Sequence, residues 1–328
     1  MRSDDDTPLL DICGLSVRFR TARGDLSALE DVSLTLRRGM TLGIVGESGS
    51  GKSVLARAIL GLLPRKAAIT SQHINFAGMN LAKLDSAAMR PIRGRRAAMV
   101  FQDPMTSLNP VRTIGSQLAE GMMTHLGVSS AVANKRALDL LKRVGVSAPE
   151  RRIEQYPHEL SGGMRQRVVI AMAIACEPEL LIADEPTTAL DVTVQAEVLA
   201  LLRQLQQEQQ MAMILITHDL GVAAGYTDEI AVMYAGQIVE RAPTRELLRT
   251  PRMPYTRALL GSIPRLDMPS HVHLSVIPGR PTTIYGDVDQ CRFAQRCELR
   301  TDVCLQKKPA LSSVDNGRIY RCWNPVLS

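Results

Sequence analysis

Aromatic residues are scarce in this chain: 4 Phe, 6 Tyr and 1 Trp make up 3% of 328 residues. The core is therefore expected to be aliphatic, with 15 Met to fill irregular gaps. Long apolar runs are also lacking. Nothing approaches the roughly 18 residues of a membrane span. The longest candidates, Val168–Cys176 and Met211–Ile216, read as a buried helix and a buried strand. The start, Met1 to Asp6, is acidic and has no apolar signal centre. These absences predict a chain that stays on the cytoplasmic side. Charge of one sign is in only mild excess, 39 Lys plus Arg against 33 Asp plus Glu, a net of +6. That surplus reads as solvated surface, and it would also suit an anionic ligand or an anionic membrane face. No basic cluster interleaved with aromatics occurs, so no nucleic acid partner is expected. There is no internal repeat.

What is present is ordinary for a globular protein: 45% hydrophobic and 22% charged residues, in a length that allows a large domain and a smaller one. Four apolar segments read as buried strands: Leu42–Val45, Ala97–Phe101, Leu180–Ala183 and Met211–Ile216. Each runs into polar residues able to do chemistry, which is the layout of an open, mostly parallel sheet with ligands at the strand carboxyl ends. Leu15–Phe19 and Leu29–Leu36 alternate as antiparallel strands do, and Ile230–Tyr234 with Gln237–Glu240 reads as a hairpin about Ala235-Gly236. Val194, Val198, Leu201, Leu202 and Leu205 form a helical stripe. So do Ala137, Leu138, Leu141 and Val144. The stretch from Ser107 to Ile174 looks helical throughout, inserted between two strands. Beyond Pro243 the texture changes: prolines recur at Pro251, Pro254, Pro264, Pro269, Pro278 and Pro281, periodicity weakens, and four cysteines cluster.

Gly46-Glu47-Ser48-Gly49-Ser50-Gly51-Lys52-Ser53 fits the phosphate-loop pattern G-x-x-x-x-G-K-[ST] between a strand and a helix. Its glycines let backbone N–H groups converge on phosphate oxygens, and the helix that follows adds its positive end. Lys52 is expected to reach the β- and γ-phosphates and Ser53 to ligate Mg²⁺. Leu180 to Glu185 fits the acidic strand end that accompanies such loops. Asp184 is expected to hold Mg²⁺ through water, and Glu185 to polarise the attacking water. Between these two elements lies Leu160-Ser161-Gly162-Gly163-Met164-Arg165-Gln166. Here Ser161 suits a helix cap, and Gly162 and Gly163 bare the backbone of a second phosphate-binding helix start.

Leu160 to Met164, in this order and spacing, resembles the signature of ATP-binding-cassette (ABC) ATPases. The resemblance implies a P-loop ABC ATPase fold: α/β, with a parallel core sheet, an antiparallel β subdomain and an inserted helical subdomain. It also implies that the signature contacts the γ-phosphate held by a second ATPase subunit. By the same resemblance Gln102 is the residue that senses Mg²⁺ and the membrane partner. Asp191, in Ala189-Leu190-Asp191, bridges the dimer, His218 contacts the γ-phosphate, and Phe19 stacks on adenine. Phe101 to Pro110, Ile182 to Thr193, Met233 to Gly236 and Pro254-Tyr255-Thr256 look like the dipeptide/oligopeptide permease branch. Met253, where that branch usually has His, and Gln290, where it usually has Gly, depart from it.

Expected boundaries are residues 1–243 for the nucleotide-binding domain, with the helical subdomain at about 105–175, and residues 244–328 for a small cysteine-containing extension. Cys291, Cys297, Cys304 and Cys322 are separated by five, six and seventeen residues. In a cytosolic setting such a cluster suggests metal. The tight knuckle of a zinc ribbon is lacking. Four thiolates suit a [4Fe–4S] cluster, as the permease extension also implies, with zinc or free thiols as alternatives. Cys13 is isolated, and Cys176 reads as a small buried apolar residue.

The implied function is the ATP-hydrolysing subunit of an importer for di- or oligopeptides, peripheral on the cytoplasmic membrane face. Its implied partners are a second ATPase subunit, giving a heterodimer by the habit of the branch, two transmembrane permease subunits and a solute-binding protein. Nickel, glutathione, opines or antimicrobial peptides are alternative cargoes. An exporter ATPase and a non-transport ABC ATPase are the rival classes.

Overall fold

The computed structural model describes residues 7–188, 190–263, 277–314 and 317–326. The acidic start, Ala189 of the Ala-Leu-Asp run, and Pro264 and Pro269 lie outside the described residues.

In chain order the elements begin with β1 (Leu10–Thr21), β2 (Gly24–Leu36), β3 (Thr41–Val45), α1 (Lys52–Ile59), β4 (Ala67–Thr70), β5 (His73–Phe76) and β6 (Met79–Asn80). They continue with α2 (Ser86–Met89), β7 (Ala97–Val100), α3 (Pro104–Ser107), α4 (Ile114–Leu126), α5 (Ser130–Arg143), α6 (Pro149–Arg152) and α7 (Gly162–Ile174). Next come β8 (Leu180–Asp184), α8 (Val192–Gln209), β9 (Ala212–Thr217), α9 (Leu220–Tyr226), β10 (Glu229–Tyr234) and β11 (Gln237–Pro243). The last are α10 (Thr244–Arg249), α11 (Pro254–Gly261), α12 (Asp302–Gln306), β12 (Ser312–Ser313) and β13 (Ile319–Tyr320). Among the described residues no helix is long and apolar enough to cross a membrane.

Two compact units form. The first comprises Met1–Arg37, Thr41–Lys83 and Ile216–Ser328. Its N-terminal part is an antiparallel sheet in the order β2-β1-β5-β6, with β4 also paired to β1. The alternation expected of the first two strands is there, but both are longer than the pattern suggested, and bulges keep their register shifting near Leu15 and Val17. A second set of strands places β3 parallel to β10, β10 antiparallel to β11, and β11 against β13. The expected hairpin is β10–β11, and its far strand accepts the C-terminal residues as an edge partner. The core beneath joins Val45, Ile230, Val232 and Tyr234 to Met253, Tyr255, Leu259 and Phe293. Residues beyond 243 therefore bury their apolar groups in the same core as β10 rather than in one of their own.

The second unit comprises Arg38–Met40 and Leu84–Leu215. Here β7 and β8 pair in parallel, with four consecutive buried residues in β7 and five in β8, the mark of strands covered on both faces. The strand before Gln102 ends at Val100, and Phe101 turns out to 40% exposure. The inserted stretch is helical as expected. Thr113 caps α4 through Ser116 N–H, and Gly127 ends it in the left-handed conformation at φ 66°. Ser129 caps α5, whose buried face is Ala133, Ala137 and Leu141. In α8 the stripe of Val198, Leu201, Leu202 and Leu205 is buried.

Candidate functional site

The phosphate loop turns from β3 into α1. Its back is tight and its front is open. A Cβ on Gly46 would stand 2.2 Å from the Met233 carbonyl oxygen, and one on Gly51, at φ 105°, 2.8 Å from that of Ala28. These glycines let the loop lie against β10 and β2. Gly49, at φ 79°, has nothing within 4 Å of where a Cβ would be. Its conformation, not crowding, calls for glycine. The buried Ser50 hydroxyl finds no hydrogen-bond partner among the described residues. Lys52 is 4% exposed and donates to the carbonyls of Gly46 and Glu47 at 2.8 and 3.0 Å. An orphaned hydroxyl, an open front and a cation curled over the loop's own carbonyls fit a polyphosphate. Ser48 lies in the same turn, and Ser53 is the second residue of α1.

Asp184 is the last residue of β8 and 2% exposed. Glu185 follows it at φ 47°, a left-handed conformation that costs a non-glycine residue of order 1–3 kcal/mol and marks places where function holds strain. Its side chain is held as well: Oε2 accepts from Gln102 Nε2 at 3.0 Å and from Thr188 Oγ1 at 3.0 Å. The structure thus brings together Gln102 and Glu185, which stand 83 positions apart. It adds Thr188, which sequence reasoning did not single out although it lies in the same acidic run.

Ser161 caps α7, accepting from Met164 N–H at 3.3 Å. Ser161 and Gly162 are exposed, as a surface offered to a ligand must be. The two glycines differ. A Cβ on Gly162 would only touch Leu190 at 3.8 Å, whereas one on Gly163 would meet Val194 Cγ1 at 2.9 Å. Gly163 is bare so that α7 can approach α8. Asp191 caps α8 through Val194 N–H at 3.0 Å, so its carboxylate already has a local task. His218 lies exposed in the bend after β9. Phe19 sits half-buried in β1 opposite Leu26 and Ala67.

Cys291, Cys297, Cys304 and Cys322 come near one another in the C-terminal part. Cys291 N–H donates to the Cys304 carbonyl at 2.9 Å. Burial, and then the neighbouring cysteines, push the Cys291 thiol up to about 11 and the Cys322 thiol up to about 12. Cys297 is raised by burial too. Among the described residues, however, no group of three or more His, Cys, Asp or Glu side chains is arranged to hold a metal ion. The thiols gather without forming a ligand cage. Cys176 is buried, and desolvation raises its thiol, as suits a small apolar residue.

A loop shaped for phosphate and a carboxylate pinned at a strained strand end define a class, the P-loop nucleotide hydrolases. The comparisons with known proteins narrow it. Residues 29–188 match the ABC transporter family, and residues 239–304 match the oligopeptide/dipeptide transporter C-terminal region. The chain is 46% identical over 316 residues to the dipeptide transport ATP-binding protein DppD of Bacillus subtilis, covering 96% of this chain and 94% of that one. It is also 46% identical over 316 residues to the oligopeptide transport ATP-binding protein OppD of Haemophilus influenzae, covering 96% and 97%. Among solved structures, a dimeric ATP-binding cassette in a post-hydrolysis state bound to ADP and Pi aligns with TM-score 0.65 and 28% identity, over 72% of this chain and 99% of that one. CbiO1 of Clostridium perfringens aligns with TM-score 0.63 and 27% identity, over 74% and 92%. The chain belongs to the ABC transporter ATP-binding proteins, in the branch that carries the oligopeptide/dipeptide transporter C-terminal region. Its chemistry is ATP hydrolysis, with ATP and Mg²⁺ as the nucleotide and ion.

Proposed function

We propose that this chain powers the import of di- or oligopeptides. What carries the reading is the pairing, in one chain, of a complete cassette with a C-terminal region of the peptide-transporter kind. The near end-to-end likeness to dipeptide and oligopeptide transport ATP-binding proteins supports it.

In this reading Gly46 to Gly51 wrap the ATP phosphates with backbone N–H groups, Lys52 leaves its loop carbonyls for the β- and γ-phosphates, and Phe19 stacks on adenine. Ser53, Gln102 and, through water, Asp184 hold Mg²⁺, which neutralises phosphate charge when bound. Glu185, oriented by Gln102 and Thr188, accepts the proton of the attacking water, and His218 contacts the γ-phosphate. Ser161, Gly162 and Gly163 are lent to the ATP of a second subunit, and Asp191 lies at the junction of the two. We read that partner as a different ATPase subunit. Two permease subunits and an extracytoplasmic solute-binding protein complete the machine, which sits on the inner face of the cell membrane. Residues 1–243 act as the motor, with the helical insertion at about 105–175 facing the permease, and residues 244–328 as an extension closed onto the motor core.

The four cysteines of the extension are proposed as a [4Fe–4S] site, with zinc as the alternative. Their convergence from separate stretches supports this, and the raised thiols mean that a metal would have to displace protons to bind. Absorption near about 400 nm after anaerobic purification is expected. A colourless protein with stoichiometric zinc would select zinc, and a metal-free protein would leave plain thiols.

The cargo is tested by uptake. Cells in which this chain carries Glu185→Gln should lose uptake of labelled di- or oligopeptides. Intact peptide uptake with loss of nickel or glutathione uptake would move the cargo to one of those classes.

A further inference from the structure

The second residue of the phosphate loop is an acid. A carboxylate beside a polyphosphate repels it, and in a partly buried site that repulsion is weakly screened. Glu47 does not stand alone, however. Both its oxygens face one guanidinium in a two-pronged pair, Arg296 Nη1 to Oε2 at 2.7 Å and Nη2 to Oε1 at 2.9 Å. Arg296 comes from the C-terminal extension, 249 positions along the chain, and its side chain is only 5% exposed. It is fixed from other sides too. Its Nε donates to the Pro278 carbonyl at 2.7 Å, its Nη1 to the Tyr234 hydroxyl at 3.3 Å, and its charge lies 5.7 Å from the centre of the Tyr234 ring.

The backbone of Glu47 is held at the same time. Its N–H donates to the Tyr255 hydroxyl at 3.0 Å, and its carbonyl accepts from Lys52 Nζ at 3.0 Å. Tyr255, Tyr234 and Phe293 pack on one another with centroids 4.6 to 5.2 Å apart. In a chain so poor in aromatics, three pack into one cluster, and Tyr255 of that cluster reaches the loop. The extension thus grips the phosphate loop at the residue whose carbonyl holds the phosphate-seeking lysine.

We infer that Arg296 is a positioning residue for nucleotide binding: it cancels the charge of Glu47 and, with Tyr255, fixes the loop that carries Lys52. The inference rests on the reading that Gly46 to Ser53 take nucleotide phosphates. It makes the extension part of the nucleotide site, so that a cassette cut before it binds nucleotide poorly.

Titration calorimetry of the full-length chain with MgADP tests this. Arg296→Gln should weaken MgADP by roughly tenfold or more, since it strands a carboxylate beside the phosphates. The double variant Glu47→Gln with Arg296→Gln should recover most of that loss, which simple structural damage would not allow. Arg296→Lys should fall between, because an ammonium keeps the charge without the two-pronged geometry. In steady-state hydrolysis Arg296→Lys should raise KM for ATP and leave kcat near that of the wild type. Should Arg296→Gln fail to fold, Arg296→Lys alone decides: it should bind MgADP more weakly than the wild type while its thermal melt stays close to the wild type's. Wild-type affinity in Arg296→Gln or in Arg296→Lys, or a double variant as weak as the single one, would each overturn the inference. A wild-type chain that binds no MgADP would instead overturn the ATPase reading beneath it.

Discussion

Glu240 offers the sharpest test of how the extension is held. It lies in β11, is 0% exposed, and meets three donors. Arg318 Nη2 donates to Oε1 at 2.6 Å, Arg252 N–H to Oε1 at 2.8 Å, and Met253 N–H to Oε2 at 2.9 Å. Arg318 is itself 6% exposed at its side chain and also donates to Thr250. One carboxylate therefore joins the edge of β11, the approach to β13 and the start of α11. Glu240→Gln keeps the volume and removes the charge. It leaves a buried guanidinium without its counter-charge, a loss of about 3–5 kcal/mol for a pair broken from one side. Whichever way the amide is turned, its nitrogen faces a donor. At least one N–H thus goes unmet, at about 1–3 kcal/mol more. The two costs share atoms and do not simply add, so about 3 kcal/mol is the least expected. That is a large share of the roughly 5–15 kcal/mol that holds a domain. The single tryptophan, Trp323, reports the change, since it sits in the extension with its ring N–H on the Lys307 carbonyl at 3.0 Å. Urea unfolding followed by its fluorescence should show the extension loosening at a much lower midpoint. A loss under about 1 kcal/mol would refute the claim that this buried pair holds the extension.

Other perturbations probe the groups proposed for catalysis and the second unit. Glu185→Gln should cut ATP hydrolysis by roughly 10²–10⁴-fold while ATP binding and dimer closure persist; full turnover would remove Glu185 from its role. Gly162→Ala should fold as well as the wild type, because its Cβ meets only an ordinary contact at 3.8 Å. Gly163→Ala should cost about 1–3 kcal/mol against Val194. Thermal melts of the two compare directly, and equal stabilities would contradict the packing at α7 and α8. Burial alone would lift the Glu179 carboxyl, but hydrogen bonds from Arg96 and Arg38 outweigh it and hold it below its ordinary 4.5. A lowered carboxyl stabilises above the unfolded value and loses that contribution as pH falls through the folded one. Glu179→Gln should therefore shrink the gap in melting temperature between about pH 7 and about pH 2, and an unaltered gap would count against the pairing.

Much of the site could be read along the chain, because phosphate loops, acidic strand ends and capped helix starts work through contiguous backbone. Gly46 to Ser53, Asp184-Glu185 and Ser161 to Gly163 each present N–H groups or a carboxylate by local geometry, and local geometry follows from residue type at fixed spacing. Spacing alone does not say which glycine serves which purpose. Gly162 and Gly163 look alike in sequence, and only the position of Val194 on a separate helix tells them apart. Thr188 was equally hidden, because its partnership with Glu185 depends on how the chain turns after β8 at φ 47°.

The sequence by itself determined the class of chemistry and the order of its parts, since short-range patterns carry both. Tertiary structure decided what the extension touches. Arg296 and Tyr255 on Glu47, and Arg318 on Glu240, are contacts between residues 78 to 249 positions apart, made where the chain bends back through one core. No periodicity encodes which buried charge meets which, because that pairing exists only after β10, β11 and the C-terminal residues have closed on a common core and shut water out.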